Sequence, residues 1–173
     1  MSRPYPGALT ISHRVLRTLV VLNVVYGLGI LGLLVASLIA PGWLFPALGV
    51  RLAGDSGAGL LGMRLIMVVG IASAPIAHVI LTRLLAIVDT VRAGDPFVVE
   101  NGVRLQTIAW SVLGLELLHL VVGAIAASSA VSEQLDLDWS FSITPWIAVL
   151  LLFVLARVFD HGARMRAELE GTV

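Results

Sequence analysis

The chain contains no cysteine and no lysine, and charge of either sign is scarce, at 13% of 173 residues against about a quarter in an ordinary soluble domain. Without cysteine there are no disulfides, no thiolate metal sites and no cysteine nucleophile. Without lysine, all basic groups are arginines, and eleven of them balance eleven acids. No net charge is left to draw a polyanion, so no direct nucleic-acid partner is expected. What the chain has instead is apolar surface: 58% of residues are hydrophobic and the mean hydropathy is +1.00. A soluble domain of this length could not bury that much, whereas lipid lets helix exteriors stay apolar.

A spanning helix needs about 20 mainly apolar residues. Four runs qualify: 19–40, 65–88, 108–127 and 143–159. No charged residue occurs from Thr18 to Val50, longer than the ~7–15 residues of a signal-peptide core, so the first run is expected to be a retained helix. The third run carries Glu116, but its ten Leu, Ile and Val residues, at about −0.3 to −0.6 kcal/mol each, offset roughly +2.5 to +3.5 for the charge. The expected fold class is all-α integral membrane. It is a single domain, a four-transmembrane-helix bundle, with a tail helix over 156–170 leaving the bilayer.

Arginine placement orients it. Arg3, Arg14 and Arg17 precede the first run; Arg83, Arg92 and Arg104 flank the second connection; Arg157, Arg164 and Arg166 close the fourth. The other connections hold only Arg51 and Arg64. Nine against two predicts both termini on the cytoplasmic side of the membrane, with Trp43, Trp139 and Trp146 at the outer interface. On the inner connection, Asp95 is placed to cap a new helix with Pro96 at its first position. On the outer side, Leu135 to Thr144 alternates apolar and polar residues, predicting a short extended, β-like segment. The loop from Trp43 to Leu52 is a possible pairing partner for it, weakened by Pro46.

Gly27, Gly29 and Gly32 spell a dinucleotide-binding pattern, but inside an apolar span it reads as small-residue helix packing. The glycines from Gly54 to Gly62 lack the lysine of a phosphate-binding loop and read as an outer turn. Arg64 and Arg83, near helix ends, read as snorkelling anchors, and His13 and His161 as exposed groups outside the bilayer.

The ionisable groups at membrane depth are His78, Glu116 and His119. If Asp89 and Arg104 are level, His78 and Glu116 lie at about the same depth, roughly 17 Å along their axes, and a hydrogen-bonded pair fixing two helices is expected. A proton-linked site is the second reading, since an imidazole changes charge near neutral pH. A metal or haem site is the third. Glu116 and His119 have the spacing of a di-iron E-x-x-H pair, and two histidines could clasp a haem iron, but a di-iron set needs a second such motif and two more acids. No metal, cofactor or catalytic set is therefore expected.

Two stretches carry a family resemblance. Residues 87–105, with Gly94-Asp95-Pro96-Phe97, Glu100-Asn101 and Arg104-Leu105, and residues 155–173 together resemble the bacterial four-helix membrane proteins catalogued as domain of unknown function 2975. Where tails of that family often carry an acid after the Leu-Ala of the second run, this chain has Arg157. Members are often encoded beside a small Cro/CI-type helix-turn-helix regulator, so the resemblance implies a membrane partner for such a regulator. The expected role is a non-enzymatic sensor or tether, as a monomer or a homo-oligomer, with a cytoplasmic partner surface at Arg92, Asp95, Pro96, Phe97, Glu100, Asn101 and Arg104. A haem or metal protein using the intramembrane histidines and a small transporter or channel subunit are the alternatives.

Overall fold

An apolar run in lipid must satisfy its own backbone hydrogen bonds, and a helix does so without a neighbour. The computed structural model, which describes residues 6–48, 57–128 and 142–170, is helical through all four apolar runs. In chain order the helices are α1 (Pro6–Ile39), α2 (Pro41–Ala47), α3 (Gly57–Arg92), α4 (Val99–Ser128) and α5 (Thr144–Glu170). The four long helices are each long and apolar enough to cross a membrane, as a multi-pass membrane protein requires. At 1.5 Å per residue, even the 27 residues of α5 exceed a hydrocarbon core of about 30 Å, so the helix ends extend beyond it. The fourth span and the tail helix are one continuous element.

The helices pack in a row. Each long helix lies against its neighbour in sequence, α1 on α3, α3 on α4 and α4 on α5, with α2 folded back on α1. No comparable contact among the described residues joins α1 to α5, so the expected bundle is open along one side. Outward faces are apolar: none of the most apolar window of α1 is buried within the chain. Leu28, Leu38, Leu150 and Leu151 are all more than half exposed, as expected where lipid is the neighbour.

The α1–α3 seam is held by close backbone approach. A Cβ on Gly27 would stand 3.1 Å from the Ala74 Cβ, and one on Gly70 3.0 Å from Ile30 Cδ1. Of the three patterned glycines, Gly27 alone meets a neighbour this closely; Gly29 and Gly32 face open space. Asn23 Nδ2 donates to the Ala74 carbonyl at 2.9 Å, a bond between helices with no water to compete for it. Pro75 interrupts the ladder of α3 without breaking the helix.

The end opposite the α3–α4 connection departs from expectation. Residues 43–47, the start of the loop from Trp43 to Leu52 and by sequence a possible pairing partner for the extended segment, lie instead in the helix α2, which opens at Pro41. Pro41 at its first turn costs no hydrogen bond, because that N–H has no intrahelical partner. The turn drives Phe45 into a cluster with Met63, Met67, Ile30 and Leu34, where it is 1% exposed. Arg64 is not a solvated anchor. Half-buried, it donates from Nη2 to the Ser37 carbonyl at 2.6 Å, placing a cation on the last turn of α1, where the helix dipole is negative. Of the expected extended segment, residues up to 141 lie outside the described residues; Ser142 and Ile143 are non-helical and Thr144 opens α5.

Candidate functional site

The most highly constrained part of the chain is the α3–α4 connection with the α5 segment beside it. Helix α3 ends in a Schellman motif. Asp95 N–H donates to the Thr90 carbonyl and Gly94 N–H to that of Val91, which requires a positive φ at Gly94, observed at 87°. The chain then runs non-helically from Asp95 to Val98. The expectation that Asp95 caps a helix starting at Pro96 is therefore corrected: α4 begins at Val99, because Asp95 is occupied in terminating α3. The Asp95 carboxylate is ion-paired with Arg166, on the last turns of α5.

Asn101 is the hub of this end, fully buried and fully engaged. Its Nδ2 donates to Thr90 Oγ1 at 2.7 Å and to the Pro96 carbonyl at 2.9 Å, and its Oδ1 accepts from Arg104 Nη1 at 2.8 Å. Thr90 in turn donates to the Ile87 carbonyl. One amide thus joins the end of α3, the connection and the first turn of α4. Gly102, also buried, lets α5 approach: a Cβ there would lie 3.4 Å from the Asp160 backbone N and 3.5 Å from the Ala156 carbonyl O. The Phe97 ring stacks at 5.4 Å on Phe159, with the Gly162 backbone beside it. Asp160 holds Arg164 at 3.0 Å, and on the α1 side Asp89 faces both His13 at 3.4 Å and Arg92 at 3.8 Å. His13, expected to be merely exposed, is therefore an inter-helix contact, while His161 is exposed.

The seven residues expected on a partner surface divide. Asp95, Pro96, Asn101 and Arg104 are engaged inside the chain. Arg92, Phe97 and Glu100 are exposed, although Arg92 also faces Asp89 and Phe97 also stacks on Phe159. Beside Phe97 lies a mainly apolar groove of about 660 Å³, bordered by Val154, Arg157, Val158, His161, Gly162 and Met165.

The intramembrane residues are differently placed. Asn101 stands opposite Thr90, and Gly114 opposite Ile76, so His78 is level with about position 112 or 113 of α4. Glu116 lies about one turn, roughly 5 Å, further along. Among the described residues no hydrogen bond or ion pair joins His78 to Glu116; both are half-buried. The expected level, Asp89 with Arg104, differs because residues 95–98 bring the chain back before α4 starts. His119 borders a cavity of about 360 Å³ with Tyr26, Ile30, Gly70 and Ser73, between α1, α3 and α4. Among the described residues no three His, Asp or Glu side chains converge as a metal set.

Sequence reasoning missed the hub role of Asn101, the approach glycines Gly102 and Gly162, and the Arg64–Ser37 contact. The one available signal was an Asn-Gly pair early in a helix, where both residues have poor helix propensity and are expected to have another reason for being there. No known protein family matches this sequence, and neither a characterised protein nor a solved structure matches it.

Proposed function

We propose that this protein is a non-enzymatic tether or sensor of the bacterial inner membrane that holds a small helix-turn-helix regulator at its cytoplasmic end. One observation carries the reading. The two runs that resemble the same family, 87–105 and 155–173, are separated by about fifty residues yet pack on one another through Asp95–Arg166, Phe97–Phe159 and Gly102–Asp160. Together they make one rigid cap, with an apolar groove beside Phe97 and charged groups at Arg92 and Glu100. A preformed surface loses less ordering entropy when it binds.

Orientation belongs to the same proposal. The nine-to-two arginine asymmetry supports a cytoplasmic cap and a Trp43 end outside, with residues 135–143 as an extended outer segment. Reporters fused after residue 173 or within 92–102 are expected to be cytoplasmic, and one near Ser56 or Ser132 exported. An adjacent reading frame is expected to encode a small helix-turn-helix protein, and the functional test is co-purification with that protein in detergent. Phe97→Ala with Glu100→Arg is expected to abolish capture while membrane insertion persists. Capture that survives both changes contradicts the assignment of this surface.

A further inference from the structure

Two polar side chains at the cap end remain unaccounted for by its network. Arg157 is exposed and, among the described residues, makes no hydrogen bond or ion pair. Gln106 is exposed and equally without a hydrogen bond among them. Both border one groove of about 530 Å³ between α4 and α5, together with Val103, Phe153, Val154 and Asp160. The close approach at Gly102 sets its upper end, and the edge-to-face pair of Phe153 and Trp110, with centroids 5.2 Å apart, lies toward its lower end. Because Gly102 lies against Ala156 and Asp160, Arg157 stands near the level of Val103 at the cap end, and Gln106, Phe153 and Val154 lie about one turn nearer the membrane centre.

Depth and charge identify what fits. From Ile143 to Ala156 α5 has no ionisable residue, so Arg157 is its first charge on leaving the hydrocarbon, where lipid phosphates lie. The acid that shares the groove, Asp160, is ion-paired with Arg164 at 3.0 Å, and Arg157 makes no ion pair among the described residues. Glu100 begins α4 further out, and Arg104 donates to Asn101 inside the cap. Arg83, also exposed at the same end of the molecule, borders neither groove on α5 and serves as a comparison.

We propose that the α4–α5 groove binds one anionic diacyl phospholipid of the adjacent leaflet. Arg157 and Gln106 donate to its phosphate, and one acyl chain runs on toward the membrane centre past Phe153 and Val154. The inference rests on the membrane reading of the four helices but not on the regulator.

Native mass spectrometry of the full chain in detergent, with equal amounts of dioleoyl phosphatidylglycerol and dioleoyl phosphatidylcholine, tests it. The expected result is a single-lipid adduct favouring phosphatidylglycerol by about fivefold, equivalent to the ~1 kcal/mol of one basic residue at an anionic surface. Arg157→Gln is expected to bring the two lipids to near parity, and Arg83→Gln to leave the preference intact. Val103→Trp, which fills the groove beside Arg157 and keeps the charge, is expected to weaken both adducts, so the proposal does not depend on one variant folding. Inorganic phosphate alone is expected to give no thermal stabilisation, because the chain-binding part of the groove is then unused. Preference retained in Arg157→Gln, an equal loss in Arg83→Gln, unweakened adducts in Val103→Trp, or stabilisation by free phosphate would each overturn it.

Discussion

The seam between α1 and α3 and the cap at the α3–α4 connection join helices by opposite means. Along the middle of the seam, contact comes from side chains that are missing: Gly27 meets Ala74, Gly70 meets Ile30, and one hydrogen bond from the Asn23 side-chain amide crosses the gap. The polar contacts Arg64–Ser37 and His13–Asp89 are confined to its two ends. In the cap, contact comes from polar side chains, with Asn101 making three hydrogen bonds and Asp95 pairing with Arg166. The solvent explains the contrast. Lipid tails are as apolar as leucine and supply no hydrophobic drive between helices, so close packing has to do the work. At the boundary, where water competes for every polar group, a polar network holds only if its central members are buried and satisfied.

Substitutions distinguish the two modes. The largest loss is expected for Asn101→Leu, which leaves the Pro96 carbonyl and the Arg104 guanidinium without their partner. Thermal unfolding in detergent should show a loss of about 2–3 kcal/mol. Next is Gly27→Leu, which forces α1 away from Ala74 and should cost about 1–3 kcal/mol, while Gly29→Leu, facing open space, should stay within about 0.5. Equal effects at the two glycines would remove the close-approach account of the seam. Arg166→Gln breaks a half-exposed ion pair and should cost less than about 1 kcal/mol, so the cap depends on Asn101 more than on its surface charges. Smallest of all is the coupling between His78→Leu and Glu116→Leu. With no bond between the two side chains, a double-mutant cycle should be additive within about 0.5 kcal/mol. A coupling well above that would mean the pair is bridged.

What could be read beforehand follows the same division. Four spans were legible because long apolar runs in lipid admit few alternatives, and the α1 break at Pro41 is intrinsic to proline and glycine. Close packing at Gly27 was legible in kind, yet nothing in a glycine pattern tells which of three glycines meets a neighbour. The register of α3 against α4 was not legible. It depends on the Schellman turn at Gly94 and on four non-helical residues after it, and a capping signal at Asp95-Pro96 pointed to an earlier helix start. Arg64 was misread because snorkelling and bonding to a helix C-terminus differ only in direction, and Ser37 lies 27 residues away. Residues 135–141, where alternation predicts an extended segment, are outside the described structure.

The account stands on the two distant runs forming one cap, and the absence of native cysteine makes that directly testable. Asp95→Cys with Arg166→Cys, treated in intact membranes with a short bis-maleimide, should give an intramolecular cross-link, because those side chains are paired between the α3–α4 connection and α5. A control pair, Gly29→Cys with Arg166→Cys, joins α5 to a helix it does not pack against and should give none. Efficient cross-linking of the first pair alone is the predicted result. Two free thiols in the first pair, or equal cross-linking of both, would contradict the cap and with it the proposed docking surface.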